Sequence, residues 1–167
     1  MIKAIEGLLL PHNWKMMKRI TEYRKLMGVG SDAGLKELKS VYRNLMKECH
    51  PDNFHDNEEM RLREEARSKD IIEAYHFLVS IAPETLAEVE ADYQVTLASC
   101  GIVDFKYDKQ VLTVHFMDGS IYEYFGVPRN IYIKMVNSDA YARFVRRHIA
   151  GSYVYRSTQK RTPTINL

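Results

Sequence analysis

Cysteine is scarce in this sequence of 167 residues, membrane-length apolar runs are missing, and no glycine-rich phosphate loop occurs. The two cysteines, Cys49 and Cys100, lie in different segments and form no metal-spaced pair, which leaves free thiols in a reducing compartment as the simplest reading. No apolar run approaches the roughly 20 residues that a membrane span needs. The apolar scrap from Gly7 to Leu10 is too short for a secretory signal, so export is not expected and a cytoplasmic protein is. Without a phosphate-cradling loop there is no nucleotide site. His12, His55, His76, His115 and His148 show no ligand spacing, so no metal site is expected. Repeats and low-complexity segments are also absent.

What is present is charge, unevenly placed. Hydrophobic and charged fractions of 46% and 28% are those of a soluble globular chain, and the net charge is only +2. Met1 to Ser80 is nearly neutral, with 14 bases against 13 acids. Ile81 to Val127 holds 2 bases and 8 acids, whereas Pro128 to Leu167 holds 8 bases and one acid, Asp139. The basic last quarter suits either nucleic acid or an acidic protein surface, or it neutralises the acidic segment before it.

Residues 14–80 read as helical. Met16, Ile20, Tyr23 and Met27 recur at helical spacing, and Gly28-Val29-Gly30-Ser31-Asp32 ends that helix. A second helix runs from Leu35 to Cys49 and stops because the residue before Pro51 is pushed out of the α region. Asp56 with Glu59 forms an expected capping box for a third helix near 57–79, whose apolar stripe is Ile71, Ala74, Tyr75 and Leu78. Its charged first half is expected to project into water. Residues 81–98 read as a linker, although Leu86, Val89 and Tyr93 also suit a short helix.

After Gly101 the period changes to two. Ile102–Tyr107, Val111–Phe116 and Ser120–Phe125 read as strands, and Asp118-Gly119 as a two-residue hairpin turn. Folding about that turn pairs Phe116 with Ile121 and Thr113 with Tyr124. The core face is then Leu112, Val114, Phe116, Ile121 and Phe125, with Glu123 its one polar member. His115, Tyr122 and Tyr124 lie on the other face. Short helices near 128–137 and 141–149 cover the apolar face, and Tyr153-Val154-Tyr155 adds a last strand. The expected class is α+β: an all-α antiparallel helical hairpin, then a small domain with a three- to four-stranded antiparallel meander and two short helices. A basic tail, 158–167, closes the chain.

On a helical wheel, Leu35, Leu38, Val41, Leu45 and Cys49 share one stripe of the second helix, and Lys36, Lys39, Arg43 and Lys47 another. Tyr42 sits at the border. A basic stripe alone is usually a solvated face. Here it leads directly into His50-Pro51-Asp52, where proline fixes its own dihedral and restricts His50, so docking of this tip costs little conformational entropy.

These residues resemble the J-domain of DnaJ-type co-chaperones. The resemblance rests on the His50-Pro51-Asp52 tip and on the run Lys69-Asp70-Ile71-Ile72-Glu73-Ala74-Tyr75-His76-Phe77-Leu78. Tyr23, Leu26-Met27-Gly28-Val29 and Ala33 match the family's opening. It implies that residues 1–80 are a J-domain with an N-terminal extension. The partner implied is the ATP state of a 70-kDa heat-shock chaperone (DnaK-type), whose hydrolysis the protein stimulates. The implied contacts are Lys39, Tyr42, Arg43 and Lys47, with the loop His50, Pro51 and Asp52. The chemistry belongs to the partner, so the chain is not expected to be an enzyme or to hold a cofactor. Asn44 and Ser68 depart from the family pattern, and the His50–Lys69 interval is about one helical turn longer. The glycine/phenylalanine-rich linker and zinc-binding repeats of larger co-chaperones are missing.

Tyr122-Glu123-Tyr124, Gly126-Val127-Pro128 and His148-Ile149 with Ser152-Tyr153 resemble the KTSC domain, over about 99–157. Three readings of its Tyr122, Tyr124 and His115 stand open. The tyrosines stack single-stranded RNA while Arg143, Arg146 and Arg147 hold phosphates, they cover the back of a thin sheet, or they line a groove for a client peptide. An RNA-binding module with the helices as scaffold is accordingly the alternative to a co-chaperone.

Overall fold

The structure, a computed structural model, describes residues 14–54 and 57–159. Arg19–Gln94 form one compact unit, and the chain from Val95 onward belongs to a second.

The first unit is helical. Helix α1 (Trp14–Met27) ends where Gly28 enters the left-handed region at φ +67°. There the Val29 N–H returns to the Arg24 carbonyl at 3.0 Å and the Gly28 N–H to that of Lys25 at 3.2 Å, which satisfies the last carbonyls of the helix. Helix α2 (Leu35–Glu48) follows, then a 3-10 turn (Pro51–Phe54) and the long α3 (Glu58–Ser80). Asn57 caps α3, its side chain accepting from the Met60 N–H at 3.0 Å. The expected cap, Asp56, lies outside the described residues; Asn57 does the work because its oxygen stands at the position that reaches the helix's free donors.

Helices α2 and α3 pack as a hairpin over Leu38, Cys49, Ile71, Ala74, Phe77 and Leu78, all buried. Tyr23 of α1 meets the Phe77 ring edge-on at 5.3 Å. Beside them the Tyr23 hydroxyl donates to Glu73 at 2.5 Å, and Arg19 bonds both Tyr23 (2.9 Å) and Glu73 (2.8 Å). These bonds hold the Glu73 carboxyl below its ordinary range, whereas burial and then the Glu73 bond push the Tyr23 phenol up. The first half of α3 is exposed and carries same-helix ion pairs such as Glu65–Lys69.

The stretch read as a linker, 81–98, is helical: α4 spans Pro83–Ser99, and the boundary between the two units falls inside it. Proline at its first position costs nothing there, because that N–H is unpaired in any helix.

The second unit is a four-stranded antiparallel sheet in the order β1 (Ile102–Asp108), β2 (Val111–Phe116), β3 (Ile121–Phe125), β4 (Val154–Gln159). Helices α5 (Arg129–Val136) and α6 (Tyr141–His148) lie between β3 and β4 in the chain and bury Met135 and Val145. Thr158 and Gln159, expected in the tail, belong to β4, and residues 160–167 lie outside the described residues.

The β2–β3 register differs from the expected one by a single residue. His115 pairs with Ile121, Val114 with Tyr122 and Leu112 with Tyr124. The loop therefore has three residues, Met117-Asp118-Gly119, with Gly119 at φ +81° and Phe116 and Ser120 closing it. A one-residue slip turns every side chain of β3 to the opposite face. Tyr122 and Tyr124 thus join Leu112, Val114 and Phe116 in the core, at 3% and 0% exposure. Glu123 leaves the core face and pairs with Arg156 of β4 at 2.6 Å, directly across the strands.

Candidate functional site: a basic helix and its exposed turn

Helix α2 is amphipathic, and the structure places Leu38 in the core and Lys36, Lys39, Arg43 and Lys47 in solvent. None of these four bases is in an ion pair with another described residue. Their charge is thus available to an acidic partner, within the roughly 8 Å over which salt leaves it unscreened. Tyr42 is half-buried and stacks on Tyr75 of α3 at 4.2 Å and 16°. Ser68, where the family pattern has an aromatic, bonds back to the Glu65 carbonyl at 2.7 Å.

The helix stops at Cys49, whose N–H still reaches Leu45 at 3.0 Å. Cys49 is buried in the core, and that burial pushes its thiol up. His50 and Asp52 then stand in water, with side chains 58% and 73% exposed. The Asp52 N–H donates to His50 Nδ1 at 3.3 Å, and Asp52 Oδ2 lies 3.3 Å from the same nitrogen. The first contact requires a neutral ring with its proton on Nε2; the second is an ion pair when the ring is protonated. A protonated ring attracts the carboxylate, whereas in the neutral ring Nδ1 takes the Asp52 N–H and offers the carboxylate no proton.

Two residues of this region escaped the sequence reading. Asn53 donates its side-chain amide to the carbonyls of Lys47 (2.8 Å) and Glu48 (3.2 Å), the free acceptors at the end of α2. An Asn just past a proline stop was its only sequence signal. Glu84, at the start of α4, accepts from the Leu35 N–H at 3.1 Å and so caps α2 from another helix, since Gly34 has no side chain to do it. No local pattern marks Glu84.

In the second unit the expected cluster separates. Tyr122 and Tyr124 are core residues, while His115 is half-buried on the opposite face of the sheet. Arg146 donates to the carbonyls of Leu97 (3.3 Å) and Ala98 (3.4 Å), satisfying the end of α4. Arg143 and Arg147 are exposed and line a shallow groove with Ser138, Phe144 and His148. No described residues form a group able to hold a metal ion, and no described helix is long and apolar enough to cross a membrane.

A helical hairpin with an exposed His-Pro-Asp turn behind a basic helix face defines a J-domain. Family comparison agrees: residues 22–83 match the DnaJ domain, and residues 98–153 match the KTSC domain. The chain thus carries a J-domain followed by a KTSC domain. The Chaperone protein DnaJ of Thermotoga maritima is 41% identical over 63 residues, which is 38% of this chain and 16% of that protein. That of Hydrogenobacter thermophilus is 41% identical over 59 residues, 35% of this chain and 15% of that protein. A DnaJ homolog subfamily C member 7 homolog from Dictyostelium discoideum is 43% identical over 58 residues, 34% of this chain and 11% of that protein. The chain therefore spans about a sixth or less of the length of these curated relatives.

Proposed function

We propose that this chain is a cytoplasmic co-chaperone that docks on a 70-kDa heat-shock chaperone and stimulates its ATP hydrolysis. In this reading residues 1–80 make the contact. Lys39, Arg43 and Lys47 approach an acidic surface of the partner, Tyr42 supports them, and His50-Pro51-Asp52 acts on the partner's catalytic machinery. The chain itself supplies no catalytic residue and needs no cofactor. The observation that supports this most is the exposure of both His50 and Asp52 at a turn fixed directly behind the unpaired basic face.

The KTSC domain, residues 99–157, directs the chaperone to a client protein, with Arg143 and Arg147 as its free charges. Stacking of RNA on Tyr122 and Tyr124 has no support, because both rings are inside the core.

The test is the steady-state ATP turnover of DnaK-type chaperones with the purified full chain. Wild type accelerates turnover and His50→Gln abolishes the acceleration. Indistinguishable behaviour of the two proteins across several such chaperones would remove this reading.

A further inference from the structure

The geometry points to Asn53 as a positioning residue that locks the His50-Pro51-Asp52 turn to the end of the basic helix; the functional half of this inference rests on the co-chaperone reading above. Asn53 bridges the turn twice. Its backbone N–H donates to the His50 carbonyl at 3.0 Å, and its side-chain amide donates to the Lys47 and Glu48 carbonyls. The turn is therefore closed from both ends, with His50 and Asp52 between the anchor points. The His50 N–H to Lys47 contact is long, 3.4 Å, and α2 supplies no other described bond across this corner. Helix-end carbonyls carry partial negative charge, so a donor is the chemistry that fits them.

Asn53 is exposed, and water can replace its bonds to these carbonyls without unfolding the helix. Its loss should therefore leave the fold intact but free the turn to move relative to Lys39, Arg43 and Lys47. Docking through the bases and triggering through the tip would then come apart. A contact that acts only in one geometry loses rate steeply with small displacements.

The test compares wild type, Asn53→Leu (near-isosteric, no donor) and Asn53→Gln (donor retained) in the full chain. For Asn53→Leu the maximal stimulation of chaperone turnover falls about tenfold, while the half-saturating concentration changes less than about twofold. Amide protection at His50 and Asp52 falls in the same variant, with protection in the middle of α2 unchanged. Asn53→Gln keeps most of both. Wild-type stimulation by Asn53→Leu overturns the positioning role, and a loss of stimulation with unchanged protection overturns it in favour of a direct contact. If wild type itself stimulates no chaperone, the co-chaperone reading fails instead, and amide protection alone decides whether the clamp exists.

Discussion

The buried hydroxyl of Thr96, on α4, donates to Oδ2 of Asp118 in the β2–β3 loop at 2.7 Å. Asp118 Oδ1 accepts in turn from the Ser120 N–H at 3.0 Å. Burial alone would raise the Asp118 carboxyl, but the bonds from Thr96 and Ser120 outweigh it and hold it below its ordinary range. A charged hairpin tip is thus pinned to a helix 22 positions earlier in the chain.

Thr96→Val, which keeps shape and removes the donor, should destabilise the protein by about 1–3 kcal/mol at pH 7. The pH dependence has a defined sign. A carboxyl whose folded pKa is depressed contributes stability above its unfolded value, near 4, and loses it as pH falls through the folded pKa. The difference between wild type and Thr96→Val in urea denaturation should accordingly shrink from about pH 4 downward. A difference that stays constant to the acid limit would count against this bond.

Tyr124 is wholly buried, and Tyr124→Ala should cost about 3–5 kcal/mol through the cavity it leaves. Thermal denaturation would read this directly. A stable Tyr124→Ala protein would contradict the observed register, because the expected register places that ring in solvent.

Glu84→Ala removes both a cap and a favourable charge at the start of α2, at a cost of about 1 kcal/mol. Gly34→Ala should also destabilise, modestly, because its new methyl would push the flexible Glu84 carboxylate off the Leu35 N–H that it caps. Combining the two substitutions should relieve the collision, so a double-mutant cycle would give a combined cost smaller than the sum.

Charge reversal at Lys39 and Arg43 should raise the half-saturating concentration for chaperone stimulation and weaken its salt dependence, with the maximal rate little changed. His50→Gln should instead abolish the stimulation at every concentration. If the reversals left the concentration dependence intact, these bases would not be contact residues.

Much of the first unit was legible because its signals are local. Pro51 stops α2 whatever surrounds it, Gly28 suits the left-handed exit of α1, and the spacing of Leu38, Ile71, Ala74 and Leu78 places them on buried faces. The same locality explains the one miss at α3, where Asp56 and Asn57 are both cap-forming residues and adjacent. Glu84 was invisible because its partner, Leu35, is 49 positions away.

The sequence by itself determined the extents of β1, β2 and β3 to within a residue, where α1, α2 and α3 stop, and that His50 and Asp52 flank a rigid proline; it did not show the helix Pro83–Ser99 or carry β4 on to Gln159. It did not determine which face of β3 is buried. Asp118-Gly119 is compatible with a two-residue or a three-residue loop, since Gly119 accepts positive φ in both. Alternation then offers two registers with opposite faces inward, each with apolar residues to bury. The choice belongs to tertiary structure: Thr96 holds Asp118, Arg156 draws Glu123 to the open face, and Tyr122 and Tyr124 fill the core beneath. Contacts between residues far apart in the chain decide a register that neighbouring residues leave degenerate.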